Sequence, residues 1–396
     1  MANISPPKYV RRVLVTLQAR GHLAYLVGGC VRDIILGVRP NDWDVCTSAL
    51  PAQVLEIFPG ARPTGIKHGT VTVYISSRAV EVTTFRADGS YADHRHPDAV
   101  RFVGELTADL SRRDFTMNAI ALPPDGLVAD PFGGVEDIHN RLIRCVGVPS
   151  ARFDEDALRM FRALRFSARL GFAIEENTMA AIREKAPLAA ALAAERVRDE
   201  LEKLIMTPAP ETAHTLIALG LLDAYIIRRA EEAAPFARIA RLPKKALARW
   251  GGLCAALIDA EAIEDAEAFL SALRLDGRTI RIVSQAMCLM RAAPPADRAA
   301  WKRMLSEYGV DSVLCAAQCR DALYGGQSVR TLKAILKSGE CFSIRHLAVR
   351  GDDLLALGLR GRELGEMLRF LLDYVIEYPE NNRRELLISI ARGTEE

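Results

Sequence analysis

Two aspartates, Asp42 and Asp44, lie in the segment NDWDVC (41–46), about ten residues after the double glycine of LVGGCVRDIILG (26–37). In an extended strand, residues two apart point to one side. Two carboxylates on one face, beside a phosphate loop, make a magnesium site. There Mg2+ bridges a triphosphate and activates an attacking hydroxyl. A lone DxD is usually an exposed turn, and its value here is its place after the glycines. Gly28 and Gly29 end an apolar strand and open a short helix that stops at Gly37. Such a turn lets backbone approach a ligand, and the helix N-terminus offers N–H groups to an anion. Arg32, one turn in, adds a phosphate contact. For an isolated Gly-Gly, a tight turn at positive φ is the better account. A third acid, Glu81, sits inside the apolar run AVEVTTF, where it either faces solvent or serves a site, and it is read here as a catalytic-site acid.

Residues 157–170, ALRMFRALRFSARL, hold Arg159, Arg162, Arg165 and Arg169 and no acid. At 100° per residue these four fall within about 120° of one helix face. A one-sided arginine stripe faces phosphate or is a solvated helix face, and the pattern alone does not choose.

These residues need elements to hold them. Up to about residue 150, β-rich runs alternate with turns: 23–27, 70–75, 80–85, 99–103 and 142–148. Beyond it helical periodicity dominates, with breaks near 207–210, 242–243 and 294–295. Asp154 as N-cap and Gly171 as C′ residue bound a helix of about four turns carrying the arginines. The expected fold class is α+β, a small N-terminal sheet followed by helical domains.

The chain has 396 residues, 50% of them hydrophobic and 26% charged, which excludes collagen-like and disordered classes. No apolar run is long enough to span a membrane. The opening MANISPPKYVRR lacks a signal peptide's apolar stretch. Eight cysteines therefore read as reduced thiols in a cytoplasm, with Cys315 and Cys319 in a helix core. Neither GxGxxG nor a Walker A loop is present, so Rossmann and P-loop readings have no support.

GGCVRD followed by DWD resembles the catalytic motif of the polymerase-β-type nucleotidyltransferases. RRDFTMNA (112–119), DPFGG (130–134), EDALR (155–159) and ERVRDELEKL (195–204) narrow the resemblance to the class II tRNA nucleotidyltransferases and bacterial poly(A) polymerases. It covers about 200 residues motif by motif, and the rest only as a helical body and tail. The resemblance implies a catalytic palm over 1–140, a helical neck over 141–205 and a tRNA-binding body and tail over 206–396. It implies that Asp42 and Asp44 hold Mg2+. It gives Gly29, Arg32 and Arg113 contacts to the nucleotide, has Asp156 and Arg159 read the base, and assigns Arg162 and Arg165 to nucleotide or phosphate. Other readings remain for several segments. Arg112, Arg113 and Asp114 also suit a surface ion-pair cluster, Asp130–Gly134 a β-turn, and Glu195 with Arg196 a helix-surface pair.

Asp156 and Arg159, placed three apart at a helix start, share a face. As a recognition edge, the carboxylate accepts from the exocyclic amine of C or A and the guanidinium donates to the neighbouring acceptor. U and G present the reverse order and leave the pair unsatisfied. As a salt bridge the pair needs no such role.

The polar segment 85–102 resembles the flexible loop of enzymes that add the whole CCA triplet, and is expected to matter most for the A step. After residue 205 there are 26 Lys+Arg against 25 Asp+Glu, so an RNA-binding surface there must be a patch. LPKKALARW (242–250) is one candidate, though core or solvated helix suits it better. His68, His94 and His96 read as loop residues rather than ligands. The activity implied is template-independent addition of C, C and A to tRNA from CTP and ATP. A poly(A) polymerase or a partial enzyme is the alternative on the same scaffold, and a non-catalytic RNA-binding protein the alternative from another class. No membrane or DNA partner is implied.

Overall fold

The computed structural model describes residues 5–88, 100–124 and 126–393. They form two compact units, 1–224 and 225–396.

The first unit opens with helix α1 (Lys8–Ala19). Its Val10, Val13, Leu14 and Leu17 recur at helical spacing and are fully buried. Then follow β1 (Ala24–Val27), α2 (Gly29–Ile35), β2 (Asp44–Thr47), α3 (Pro51–Ile57), β3 (Arg62–Gly65), β4 (Thr70–Ile75) and β5 (Arg78–Thr84). Next come β6 (Arg86–Asp88), β7 (Val100–Phe102), α4 (Leu106–Ser111), β8 (Ala121–Leu122) and α5 (Gly134–His139). The six-stranded sheet runs β3-β4-β5-β2-β1-β8. Within this sheet only β2 and β5 pair in parallel among the described residues. Beneath the β1–β2 end lies a cluster of Val27, Cys46, Phe85, Leu110, Ala119, Ala121 and Val146. A mixed sheet followed by helices is the expected α+β arrangement.

The expected flexible segment 85–102 is described only at its stem, where β6 and β7 pair antiparallel, Arg86 opposite Phe102. Residues 89–99, with His94 and His96, lie outside the described residues.

Helical structure continues with β9 (Leu142–Ile143), α6 (Pro149–Glu155), α7 (Leu158–Leu170), β10 (Ala173–Ile174), α8 (Glu176–Lys185), α9 (Ala194–Ile205) and α10 (Thr212–Ala218). α9 and α10 both pack on α7. The expected single helix from Asp154 is two helices. The chain leaves helical geometry at Asp156 (φ −150°, ψ 101°). Asp156 Oδ1 accepts the N–H of Leu158 at 3.1 Å, so this side chain starts α7 while Asp154 pairs with Lys185. The far end is as expected, with Gly171 left-handed at φ 67°.

DPFGG opens α5. Asp130 accepts from the backbone N–H groups of Gly134 (2.7 Å) and Val135 (2.8 Å). A Cβ on Gly134 would stand 2.2 Å from the Thr116 carbonyl oxygen. Backbone cannot yield as a side-chain tip can. Gly134→Ala is expected to destabilise the protein by about 1–3 kcal/mol or more, read as a lower Tm. An unchanged Tm would show that α5 shifts freely.

The second unit is helical. Cys315 and Cys319 lie in its core, and a Cβ on Gly251 would meet their sulfurs at 2.7 and 2.9 Å. Arg249 and Trp250 are buried as well, so of LPKKALARW only the lysines Lys244 and Lys245 face solvent among the residues singled out. Among the described residues no helix is long and apolar enough to cross a membrane.

Candidate active site

The parallel β2–β5 pair sets Asp44 directly opposite Glu81. Asp44 is the first residue of β2. Asp42 precedes it in an exposed bend, so the two aspartates do not share a strand as the spacing suggested. Glu81 lies on an exposed strand position. Burial pushes the Asp44 carboxyl up to about 6, Glu81 adds to the rise, Arg113 opposes it, and Asp42 raises it further. Glu81 and Asp42 thus add negative charge near Asp44, and Arg113 does not offset burial and that charge together.

Gly28 adopts φ 78°. A Cβ there would stand 3.4 Å from Arg113 Nη1 and 3.9 Å from Asp44 Oδ2. Gly28 is therefore the glycine the geometry requires, whereas Gly29 is the first residue of α2 and meets only Arg32. A cleft of about 320 Å³ is lined by Asp44, Glu81, His68, Thr70, Thr83 and Arg86, with Arg112 and Arg113 as one wall. The same two arginines border a second cleft of about 290 Å³, with Asp114, Asp156, Arg159, Arg162 and Arg196.

The double arginine is aimed by one buried acid. Asp109 Oδ1 accepts from Arg112 Nε (3.0 Å) and Nη2 (2.7 Å), and Oδ2 from Arg113 Nη2 (2.9 Å). Burial works against the Asp109 charge, but Arg113 and Arg112 outweigh it and hold the carboxyl below the usual carboxylate range. Arg113 Nε is buried without a hydrogen-bond partner.

The arginine stripe faces neither bulk water nor one open surface. Arg162 donates twice to Asp114 Oδ2, at 2.9 and 2.5 Å. Asp114 is buried, which opposes its charge, yet Arg162 and Asn118 hold it down at about 2. Arg165 donates to Glu200 at 2.5 Å. Only Arg169 is exposed. Arg32 is 3% exposed, bonded to Asp33 and to Asn118, and lines neither cleft. Arg32, Arg162 and Arg165 all lie over the ring of Phe166, at 5.3, 5.4 and 4.2 Å from its centroid. Asp156 and Arg159 line the second cleft but do not pair with each other. Asp156 accepts from Arg196 at 2.9 Å, and Arg159 donates to Glu155 at 2.5 Å.

The site thus adds Asp109, Arg112, His68 and Arg196 to the residues foreseen, and of the two glycines it shifts the weight from Gly29 to Gly28. Arg112 had a signal, being doubled with Arg113. Asp109 reads in sequence as an ordinary helix-surface acid.

Three family models match in chain order: the Poly A polymerase head domain over 24–144, the RNA and SrmB-binding site of polymerase A over 171–226, and tRNA nucleotidyltransferase domain 2 over 250–391. A CCA-adding enzyme of Geobacillus sp. (strain WCH70) is 40% identical over 87% of this chain and 85% of its own.

The chain belongs to the CCA-adding enzyme family.

The CCA-adding enzyme of Enterococcus faecalis (strain ATCC 700802 / V583) is 36% identical over 96% of this chain and 94% of its own. The crystal structure of the Bacillus stearothermophilus CCA-adding enzyme in complex with CTP matches at a TM-score of 0.85 and 35% identity, covering 98% of each chain. Nucleotidyltransferases of this family imply a divalent metal. The acids here suit one. Burial, with Glu81 and Asp42 nearby, disfavours the charged form of Asp44, which a bound cation would relieve. Among the described residues no three His, Cys, Asp or Glu side chains converge to hold an ion alone. A hard cation held by one or two carboxylates and completed by phosphate and water fits both facts.

Proposed function

We propose that this protein adds C, C and A in turn to the 3′ end of tRNA, taking CTP and ATP without a template. The observation that carries the reading is the shared wall. Arg112 and Arg113 border both the carboxylate cleft and the cleft that holds Asp156 and Arg159. A nucleotide with its base in the second cleft would lay its phosphates along the arginines toward Asp44.

In this reading the tRNA 3′-hydroxyl attacks the α-phosphorus, the new P–O bond forms, and pyrophosphate leaves. Asp42 and Asp44 would hold Mg2+, which supplies Lewis-acid stabilisation and lowers the hydroxyl's pKa. Arg113 meets phosphate charge, with Gly28 and Gly29 giving the backbone room. Arg162 and Arg165 add positive charge to the nucleotide, and Arg32 supports them across Phe166. Glu81 adds negative charge beside Asp44. Residues 1–140 would serve as palm, 141–205 as neck, and 206–396 as body and tail gripping the tRNA. The compact division falls later, after Ala224. The cytoplasm is the proposed location, and neither DNA nor a membrane is a partner.

The test offers purified protein and Mg2+ a tRNA lacking CCA, with CTP alone, ATP alone or both. Two C and one A, then a stop, is the expected product. A run of A would make the protein a poly(A) polymerase, C or A alone a partial enzyme, and no incorporation a binding protein.

Base choice is assigned to Asp156 and Arg159. Asp156→Ala or Arg159→Ala should lower efficiency with CTP and ATP by roughly tenfold to a hundredfold, the worth of one such hydrogen bond at about 1–3 kcal/mol. UTP and GTP should lose less, so discrimination shrinks. Relative efficiencies for the four triphosphates, measured beside Tm, decide it. Unaltered ratios with a lowered Tm would make both residues structural.

A further inference from the structure

The sheet face that carries Asp44 and Glu81 continues past them. Residues directly opposite one another in paired strands share a face. Asp44 is opposite Glu81, Glu81 opposite Thr72, and Thr72 opposite Arg62, so one row crosses β2, β5, β4 and β3. Tyr74, opposite Ala79, lies two residues further along β4 on the same face. The alternate residues Val71, Val73, Val80 and Val82 are buried on the opposite side, where α1 and α3 pack. Hydroxyls line the outer face. Thr64 and Thr72 bond at 2.8 Å, and Thr70 and Thr83 at 3.1 Å. Two longer side chains stand on it. The Tyr74 side chain is 40% exposed, and the Arg62 guanidinium lies 5.5 Å from the centroid of its ring. Arg62 is itself exposed, and among the described residues no carboxylate pairs with it.

We propose that Tyr74 and Arg62 form a platform for the 3′ end of the acceptor strand, Tyr74 stacking on a base just before the terminal nucleotide and Arg62 meeting the adjoining phosphate. The inference rests on the proposed transfer to tRNA. In that reaction the attacking hydroxyl must reach Asp44. Arg112 and Arg113 wall the cleft on the β1 side, where Arg113 meets Gly28, and lead on to the second cleft. The incoming nucleotide takes that side. The strand that brings the hydroxyl is left the other side, across β5 and β4. Strand spacings put the Tyr74 backbone about 7 Å along and about 10 Å across from Asp44. That is one to two steps of an extended nucleotide chain. Stacking also suits the task, because the end of the substrate changes at each addition. Every base has a π face, so a ring holds each successive end alike, which a hydrogen-bonding edge does not. Arg62 supplies positive charge to a phosphate chain that approaches two carboxylates.

The experiment compares the wild type with Tyr74→Ala, Tyr74→Phe and Arg62→Met in the full-length protein with Mg2+. The substrates are a tRNA lacking CCA and the same tRNA made abasic at each of the two positions before its terminal nucleotide. The rate is followed against tRNA and against CTP, together with Tm and oligomeric state. Tyr74→Ala should raise the half-saturating tRNA concentration about tenfold, the scale of one base–aromatic stack. Its kcat and its half-saturation by CTP should stay near those of the wild type, and Tyr74→Phe should keep all three. One of the abasic sites should cost the wild type a similar factor and cost Tyr74→Ala little more, since ring and base act as a pair. Arg62→Met should weaken tRNA binding and lower its salt slope by about one. If both abasic sites cost the wild type and Tyr74→Ala alike, the platform is overturned and the proposed transfer stands. A lowered Tm without that coupling makes the pair structural and overturns it too. A changed oligomeric state with unchanged tRNA half-saturation gives the face to a second copy and overturns it equally. If the wild type adds neither C nor A to the intact substrate, the proposed transfer fails and takes this inference with it. Should Tyr74→Ala melt too low to assay, Tyr74→Leu gives the same comparison with an apolar side chain kept on the strand.

Discussion

Asp44→Asn should abolish incorporation of both nucleotides and at the same time make the metal-free protein more stable. The first effect follows from removing a carboxylate that no neighbour replaces, and a rate loss of roughly a thousandfold or more is expected, the scale of removing a main source of charge stabilisation. The second follows from the pKa. In the folded chain Asp44 is pushed up to about 6 by burial and by Glu81, against Arg113. Above about pH 6 the native state must carry a charge it disfavours, at a cost of roughly 3 kcal/mol. The folded state holds the proton more tightly than the unfolded one, so this cost is absent below about pH 4, grows from there to about pH 6, and is then constant. The Tm gain of Asp44→Asn should therefore be full at pH 7–8 and vanish near pH 4. Divalent metal should raise the Tm of the wild type and do so less for the variant. Equal Tm values at pH 7.5 without metal, or near-normal turnover, would remove Asp44 from the proposed metal site.

Asp109→Asn should act in the opposite direction on stability. The carboxylate is fully buried and is the shared acceptor of Arg112 and Arg113. Its loss leaves two guanidinium groups beside a neutral amide, which is expected to cost on the order of 3 kcal/mol. Because the folded Asp109 carboxyl is held below its ordinary value, its contribution is present above about pH 4 and is lost as the pH falls through the folded pKa. The Tm difference between wild type and variant should accordingly be full at neutral pH and shrink in acid. Incorporation should fall too, since Arg113 Nη1 is the group set against Gly28 and Asp44. A variant that melts like the wild type would show that the arginines find another counter-charge.

Sequence disclosed the residues whose types are unusual where they stand: paired aspartates after a double glycine, an acid inside an apolar strand, four arginines without an acid. It disclosed strands whose runs are long and β-branched, such as β4 and β5. It missed β2, four residues long, and so put Asp42 on a strand that begins two residues later. It read the arginines as a stripe because their partners are remote. Asp114 lies 48 residues from Arg162, and Glu200 lies 35 from Arg165. The first pairing is set by packing of α7 on the segment around Asp114 and Phe115, the second by packing of α7 on α9, and periodicity describes only one element at a time. The break at Asp156 escaped for a related reason. A helix pattern continues through EDALR, and what interrupts it is the Asp156 side chain accepting from the Leu158 N–H and from Arg196.

The stretch from Asp109 to Asn118 reaches, within ten positions, Arg112 and Arg113, then Arg162 through Asp114, Phe166 through Phe115, Asp137 through Thr116, and Arg32 through Asn118. It works as a ruler. Substitution at one mark alters one contact, but inserting or deleting a single residue would offset every contact beyond it at once. Evolution and engineering alike can therefore retune this protein by exchanging side chains on α7 and α9, while changes of chain length belong elsewhere, as near Leu127, whose side chain is 81% exposed.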